Sequence, residues 1–161
     1  MVSVFESENI RFVEFTEELV DDYLTMVNDI EHVAKFIGER RTPYTMEEEL
    51  EFIKNQKITQ PYTFSMLEKS TGEFIGNAGF MNIKDGEAEL GIVITYAKQN
   101  AGYGKEAIVN LLRYGWNELS LKRVYLEVYI DNDRAIRLYD KCGFKEYRRT
   151  DKDIYMEIFS E

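Results

Sequence analysis

Two glycines separated by one residue, Gly102 and Gly104, precede a lysine, Lys105, and a run with helical spacing. Glycine lets an anion approach the backbone closely. The first turn of a helix presents unpaired N–H groups at the positive end of its dipole, and Lys105 adds a mobile cation. The stretch therefore indicates a site for a phosphate or pyrophosphate, and the alternative is a tight turn that binds no ligand.

With Ala107, these glycines also spell GxGxxA, the fingerprint of dinucleotide-binding turns, and Glu127 follows where that motif expects an acid. Three features disfavour this interpretation. The glycines do not follow their strand directly, a hairpin meander precedes them, and too little chain remains to complete two βαβαβ halves. A P-loop is also disfavoured, because it needs four residues between its glycines and a hydroxyl after its lysine.

The elements that position this loop follow from periodicity and turn chemistry. IRFVEF (10–15) alternates as a strand, and a helix follows Thr16. A capping box, Thr45 with Glu48, opens a second helix to about Gln56. Three strands then follow in YTFSMLEKSTGEFIGNAGFMNIKDGEAELGIVIT, where Asp85–Gly86 is a strong hairpin signal.

The rest of the chain alternates between helices and strands. A helix follows the glycines, KRVYLEVYI is a strand, 133–142 is a short helix, and two strands end the chain. The predicted fold is a mixed antiparallel and parallel α/β sheet with the order β-α-α-β-β-β-α-β-α-β-β and helices on both faces. Because a helix joins two of the strands, we expect the pairing to become parallel around residues 92 to 128.

Composition limits the function classes. With 161 residues, we expect a single domain over 1–161. A net charge of −10 disfavours nucleic acid and anionic membranes as partners and suits a small cation or simple solubility. The single cysteine, Cys142, excludes an internal disulfide, and the N-terminus has no signal-peptide pattern, so we expect a cytoplasmic protein. The sequence contains no Cys/His cluster, so it does not predict a metal site.

Two motifs together carry a family resemblance. QNAGYG fits the Q/R-x-x-G-x-G/A signature, and DNDRAIRLYDKCGF fits the pattern Asn-x-x-Ala-x-x-x-Tyr-x-x-x-Gly-Phe one helix and one strand later. The chain thus resembles the GNAT superfamily of acyl-CoA-dependent N-acetyltransferases. The resemblance covers nearly the whole chain and is closest to the branch of ribosomal-protein N-terminal and spermidine acetyltransferases.

The resemblance implies acetyl-CoA as cosubstrate. Its pyrophosphate would lie on the backbone N–H groups of the signature loop: Gln99, Asn100, Ala101, Gly102, Tyr103, Gly104 and Lys105. Its pantetheine arm would pair with the backbone of a splayed strand end, which is Ile92, Val93 and Ile94 in this chain. Asn132 would meet the cofactor through its amide, although it is also an ordinary helix N-cap.

The resemblance also implies the proton transfers. Tyr139 occupies the position near the CoA sulfur, where a phenol can protonate the departing thiolate, and a packed aromatic is the alternative. Glu89 occupies the position of a base that takes the proton of the ammonium, and Glu87 is a weaker candidate on the same strand face. The implied mechanism is direct attack by the amine in a ternary complex. The chain departs from many relatives at Tyr96, where they have a proline.

The acceptor is the least specified partner. The resemblance implies a primary amine, either a small molecule such as a polyamine or a protein N-terminus. An acyl-CoA-binding or sensing domain without turnover is the alternative function, and a homodimer stays open. In this fold, acceptor residues come from the first two helices, their connection and the middle strands; here the candidates are Phe36, Arg40, Arg41, Tyr44, Tyr62 and Phe80.

Overall fold

The computed structural model describes all 161 residues, Met1–Glu161. Eight strands form one sheet: β1 (Ser3–Glu6), β2 (Ile10–Glu14), β3 (Thr63–Glu68), β4 (Phe74–Lys84), β5 (Glu87–Ile94), β6 (Arg123–Tyr129), β7 (Lys145–Arg149) and β8 (Asp153–Phe159). The α-helices are α1 (Val20–Val27), α2 (Lys35–Ile37), α3 (Met46–Thr59), α4 (Tyr103–Glu118) and α5 (Asp133–Lys141). None of the helices is both long and apolar enough to span a bilayer.

The sheet has the order β1-β2-β3-β4-β5-β6-β8-β7, and only β5 and β6 are parallel. Their ladder is short, because it joins Glu87–Glu89 to Arg123–Tyr125 and then stops. β5 continues to Ile94 with β4 as its only strand partner. The predicted mixed sheet is confirmed, and the two parallel strands separate just beyond Glu89.

Two apolar clusters cover opposite faces of the sheet, as the prediction of helices on both faces requires. The larger cluster joins α4 and α5 to the sheet, and Ile92 and Ile94 pack against it. The smaller joins α1, the following turn and α3 to β2 through β5, and Val93 packs against it. Since alternate residues of a strand face opposite sides, Glu89 lies on the face of Val93. On that face, β6, β8 and β7 carry polar and tyrosine side chains that are exposed or half-buried.

Local signals explain the best-predicted elements. Asp85 and Gly86 have φ of 53° and 78°, the left-handed pair that a two-residue hairpin needs. Thr45 and Glu48 exchange both hydrogen bonds of the predicted capping box.

The N-terminal third departs from the prediction. β1 was not predicted, because its residues are mostly exposed and lack a clear apolar alternation. The first predicted helix is a 3-10 turn (Glu17–Leu19) that continues into α1, and a π turn (Ile30–Ala34) and α2, which were not predicted, follow it. In α3, Glu49 and Ile53 are buried, and Leu50 is half-buried.

Candidate active site

A cavity of about 630 Å³ lies where β5 and β6 separate. Its wall combines residues of the π turn, β5, the loop before α4, β6, α5 and β8. The cavity draws residues from both faces of the sheet, Ile92 and Ile94 from the α4 face and Glu89 and Val93 from the other. It therefore passes through the sheet at the point where the parallel ladder ends.

The predicted anion-binding loop lies on this wall. None of the backbone N–H groups of residues 100 to 105 donates a hydrogen bond within the protein. Gly102 has φ of 86°, and a Cβ added to it would meet no protein atom within 4 Å. The loop thus presents a row of free donors to open space at the positive end of α4, which suits a diphosphate.

Side chains outside the cavity brace both ends of this loop. Glu68 on β3 accepts hydrogen bonds from Tyr103 Oη at the end of the loop, from Lys98 Nζ at 3.2 Å before it, and from Thr71 Oγ1 at 2.7 Å. The hydrogen bond from Tyr103 is the main cause that lowers the pKa of Glu68 to about 2. The side chain of Tyr103 therefore positions the loop from outside the cavity, while its predicted role belongs to its backbone N–H.

The side-chain settings of two more loop residues can be described beside their predicted backbone role. Ala101 is exposed and is absent from the cavity wall. Gly104 lies on the wall, but a Cβ there would stand 2.8 Å from Leu138 Cδ2. Gly104 is thus required by the close packing of α4 on α5, whatever its backbone binds.

Gln99 connects the loop to its neighbours. Its Nε2 donates to the carbonyl of Ile94 at 2.9 Å, and its Oε1 accepts from Arg134 on α5. Asn132 accepts a hydrogen bond from Ala135 N at 3.3 Å as the N-cap of α5, and it also lines the cavity. Both side chains hold backbone in place at the rim of the cavity.

Tyr139 is 8% exposed and packs edge-on against Phe144. Its hydroxyl makes no hydrogen bond, and no buried side-chain polar atom lacks a partner, so the hydroxyl faces the cavity that Tyr139 lines. Burial is the main cause that raises the pKa of Tyr139 to about 12, with a smaller contribution from Cys142. This phenol stays protonated at neutral pH and is able to donate.

Glu89 lines the same cavity as the last β5 residue paired with β6, opposite Tyr125. Its Oε1 accepts a hydrogen bond from Asn82 Nδ2 at 3.1 Å, and it has no cationic partner. Glu87 lies outside the cavity and is bound to Arg123 at 3.1 Å. Of the two predicted bases, only Glu89 is placed to reach the cavity.

Several residues of the wall were missed or given no role. His32, on the π turn, stacks on Tyr96 with ring centroids 3.6 Å apart, so Tyr96 forms part of the support where relatives have proline. Of the predicted acceptor residues, only Phe36 lines the cavity.

The sequence analysis missed the charged residues of the wall. Glu127 and Asp153 line the cavity from β6 and β8, and a row of basic residues lines it from α5: Arg134, Arg137 and Lys141. Strand alternation, which places Glu127 on the face of Glu89, was the one available signal for the acids.

The mixed sheet separates at its single parallel pair, beside a loop of free N–H groups at the start of a helix. This arrangement suits a phosphate-bearing ligand. Residues 9–145 match the model of the acetyltransferase (GNAT) domain. The chain belongs to the GNAT acetyltransferase family, as the two motifs predicted.

Individual relatives agree with this assignment. A curated relative, spermidine N(1)-acetyltransferase of Vibrio cholerae, is 31% identical over 65% of this chain, and the aligned part is 62% of that protein, less than two thirds of its length. The fold is similar to that of a GNAT-family acetyltransferase from Bacillus anthracis (TM-score 0.84, 19% identity, 99% and 98% of the two chains covered). It is also similar to spermidine N-acetyltransferase from Vibrio cholerae, solved with CoA and spermine (TM-score 0.82, 22% identity, 95% and 96% covered). The spermidine relative falls in the predicted branch.

Proposed function

We propose that this protein transfers the acetyl group of acetyl-CoA to a primary amine of a small molecule by direct attack in a ternary complex. The observation that carries the proposal is the cavity through the sheet. A single space meets the free N–H groups of the loop, the unpartnered hydroxyl of Tyr139 and the carboxylate of Glu89. An anion site, a proton donor and a proton acceptor are the groups that acetyl transfer from a CoA thioester to an ammonium requires.

The residues present fit the cosubstrate. The loop of residues 100 to 105 would hold the pyrophosphate, and the absence of protein around Gly102 leaves room for it. The backbone of Ile92 to Ile94, which has no β6 partner, would pair with the amides of the pantetheine arm. Asn132 would stay at the rim as the N-cap of α5.

Acetyl-CoA, when bound, presents a thioester carbonyl to the amine and releases a thiolate. Glu89 accepts the proton of the ammonium, since only the neutral amine attacks. Tyr139 holds its proton at Oη until the thiolate departs and then gives it to the sulfur, and the second proton that the nitrogen loses on forming the amide restores the phenol. The raised pKa of Tyr139 weakens it as an acid, but the same burial disfavours a thiolate in that space, so both anions are penalised together.

The proposal also covers domain organisation, location and assembly. The whole chain acts as one domain, supported by a sheet that runs unbroken from β1 to β7. The location is cytoplasmic, supported by a single free cysteine. A homodimer is the third point, and the oligomeric state measured by analytical ultracentrifugation tests it.

The proposal is tested by measuring thiol release from acetyl-CoA with a panel of alkylamines, polyamines and peptides. Release that depends on an amine, with the acetylated amine detected by mass spectrometry, is the expected result. Binding of acetyl-CoA without turnover across the panel would instead identify a binding or sensing domain. Absence of binding would remove the cofactor assignment altogether.

A further inference from the structure

The hairpin of β4 and β5 carries a bulge next to the candidate base Glu89. Met81 pairs with Glu89 in regular register. The next two residues of β4, Asn82 and Ile83, stand opposite the single residue Ala88, so β4 contains one extra residue at this point. Asn82 has φ of 54°, in the left-handed region that favours glycine. A backbone of this kind beside a proposed catalytic group makes the bulge a candidate for a role in the reaction.

The bulge changes the face of the sheet to which Asn82 points. In an unbroken strand, Asn82 would lie on the same face as Phe80, two residues earlier. That face packs against α4, and both Phe80 and Ala88 are fully buried there. Instead, Asn82 Nδ2 donates a hydrogen bond to Glu89 Oε1 at 3.1 Å, on the opposite face. The extra residue thus brings to Glu89 an amide that regular pairing would direct into the core.

The end of α3 holds Asn82 in this conformation. Gln60, the residue after α3, accepts a hydrogen bond from Asn82 N at 2.9 Å, and its Nε2 donates to Asn82 Oδ1 at 3.4 Å. Gln60 is itself fixed, because its N–H donates to Gln56 O at 2.8 Å and its carbonyl accepts from the Thr63 hydroxyl at 2.8 Å. The Asn82 amide therefore has a partner on each side, Gln60 at its oxygen and Glu89 at its nitrogen.

This contact leaves Glu89 able to accept a proton. Its Oε1 receives the amide of Asn82, and no hydrogen bond within the protein reaches its Oε2. A cation in the place of the amide would favour the ionised carboxylate and weaken it as a base, as Arg123 does for Glu87 outside the cavity, at 3.1 Å. The amide orients the carboxylate of Glu89 without adding a charge.

From this arrangement we propose, on the basis of the function proposed above, that Asn82 is a positioning residue for acetyl transfer and that Gln60 is its support. The amide of Asn82 holds the carboxylate of Glu89 in the orientation that takes the proton of the acceptor ammonium. The N–H bond of the ammonium breaks, the proton passes to the unpartnered Oε2 of Glu89, and Asn82 keeps both protons of its amide.

Two substitutions separate the amide from the backbone conformation. Asn82→Gly keeps the left-handed backbone and removes the amide, whereas Asn82→Asp keeps the shape and tolerates that backbone but has no donor. With n-butylamine, we expect kcat to fall about tenfold in Asn82→Gly, as loss of one partly exposed hydrogen bond to a charged group warrants, and at least as far in Asn82→Asp. The KM for acetyl-CoA should stay at the wild-type value, and the thermal midpoint checks the fold.

Ser120 supplies the matched control. It is exposed just after α4, lies off the cavity wall and has φ of 53°, so Ser120→Gly makes the same change of backbone preference without touching Glu89. This variant should keep the wild-type kcat. A loss of kcat in Ser120→Gly as large as that in Asn82→Gly would overturn the proposal.

A double-mutant cycle tests whether Asn82 acts through Glu89. Once Glu89→Gln has removed the base, adding Asn82→Gly should change kcat by less than about twofold, because no carboxylate is left to orient. An equal loss of kcat in both backgrounds, or wild-type kcat in Asn82→Asp, would overturn the proposal while leaving acetyl transfer intact. No transfer by the wild type to n-butylamine or to any other amine would instead refute the proposed function.

Discussion

Replacing Gly102 by alanine separates ligand binding by the loop from its folding. Gly102 has φ of 86°, and its added Cβ would meet no protein atom, so the change costs only backbone strain. An L-residue in this region costs about 1–2 kcal/mol, which lowers the thermal midpoint by about 2–8 °C in a chain of this size. The same Cβ would stand among the free N–H groups of residues 100 to 105, where the pyrophosphate is proposed to bind.

The expected loss of affinity follows from those donors. A hydrogen bond to a charged group is worth about 1.5–3 kcal/mol. Losing one such hydrogen bond to the pyrophosphate weakens acetyl-CoA binding by about 10- to 150-fold. Isothermal titration calorimetry with acetyl-CoA measures this directly, and it needs no acceptor.

Gly86 supplies the matched control. Its φ is 78°, an added Cβ would be 3.7 Å from the nearest atom, and it lies at the opposite end of β5 from the loop. Gly86→Ala should lower the thermal midpoint by a similar amount and keep wild-type affinity for acetyl-CoA. Equal affinity of the two variants would refute the assignment of the loop. Gly104 is unsuited to this test, because its substitution would displace Leu138.

Three further predictions follow from the site and its supports. Tyr139→Phe should reduce turnover by about 100- to 10,000-fold without weakening acetyl-CoA binding, and unchanged turnover would remove Tyr139 from the mechanism. Because the pKa of Tyr139 is raised to about 12, its ionisation should not limit the wild-type rate–pH profile below that pH. Glu68→Gln should weaken acetyl-CoA binding severalfold by releasing Tyr103 and Lys98, and wild-type affinity by calorimetry at neutral pH would contradict this. Because the pKa of Glu68 is lowered to about 2, the stability that its carboxylate contributes should be present above pH 4.5 and be lost as the pH falls towards 2. Burial raises the pKa of Glu49, so its carboxyl group stabilises the fold least when it is ionised. In urea denaturation, Glu49→Gln should be more stable than the wild type at pH 7, and this difference should shrink in acid; a variant less stable than the wild type at pH 7 would refute this prediction.

The elements that the sequence predicted well are those with local causes. Asp85 and Gly86 fix a hairpin through their own backbone preferences, and Thr45 caps α3 through a residue one turn away. The signature loop is likewise set by Gly102 and by the helix that follows it. Each of these features depends on contacts between residues that are close in the chain.

The features that were missed depend on residues far apart in the chain. Glu68 supports the loop through Tyr103, but nothing in either segment indicates that β3 passes behind it. Glu127 and Asp153 share a cavity wall with Glu89 only because of the order and register of three strands. The π turn that carries His32 has neither helical nor strand periodicity, so its place on the wall became visible only in the folded chain.

Direct transfer within one cavity is the central claim, and labelled acetyl-CoA tests it most directly. The protein is mixed with acetyl-CoA bearing a deuterated acetyl group and with diaminobutane or n-butylamine. Mass spectrometry then follows the amine, free CoA and the intact protein together. We predict deuterated acetyl on the amine in equal amount to free CoA, with the protein at its unmodified mass throughout. Acetyl carried on the protein during turnover, or CoA released without an acetylated amine, would contradict the account.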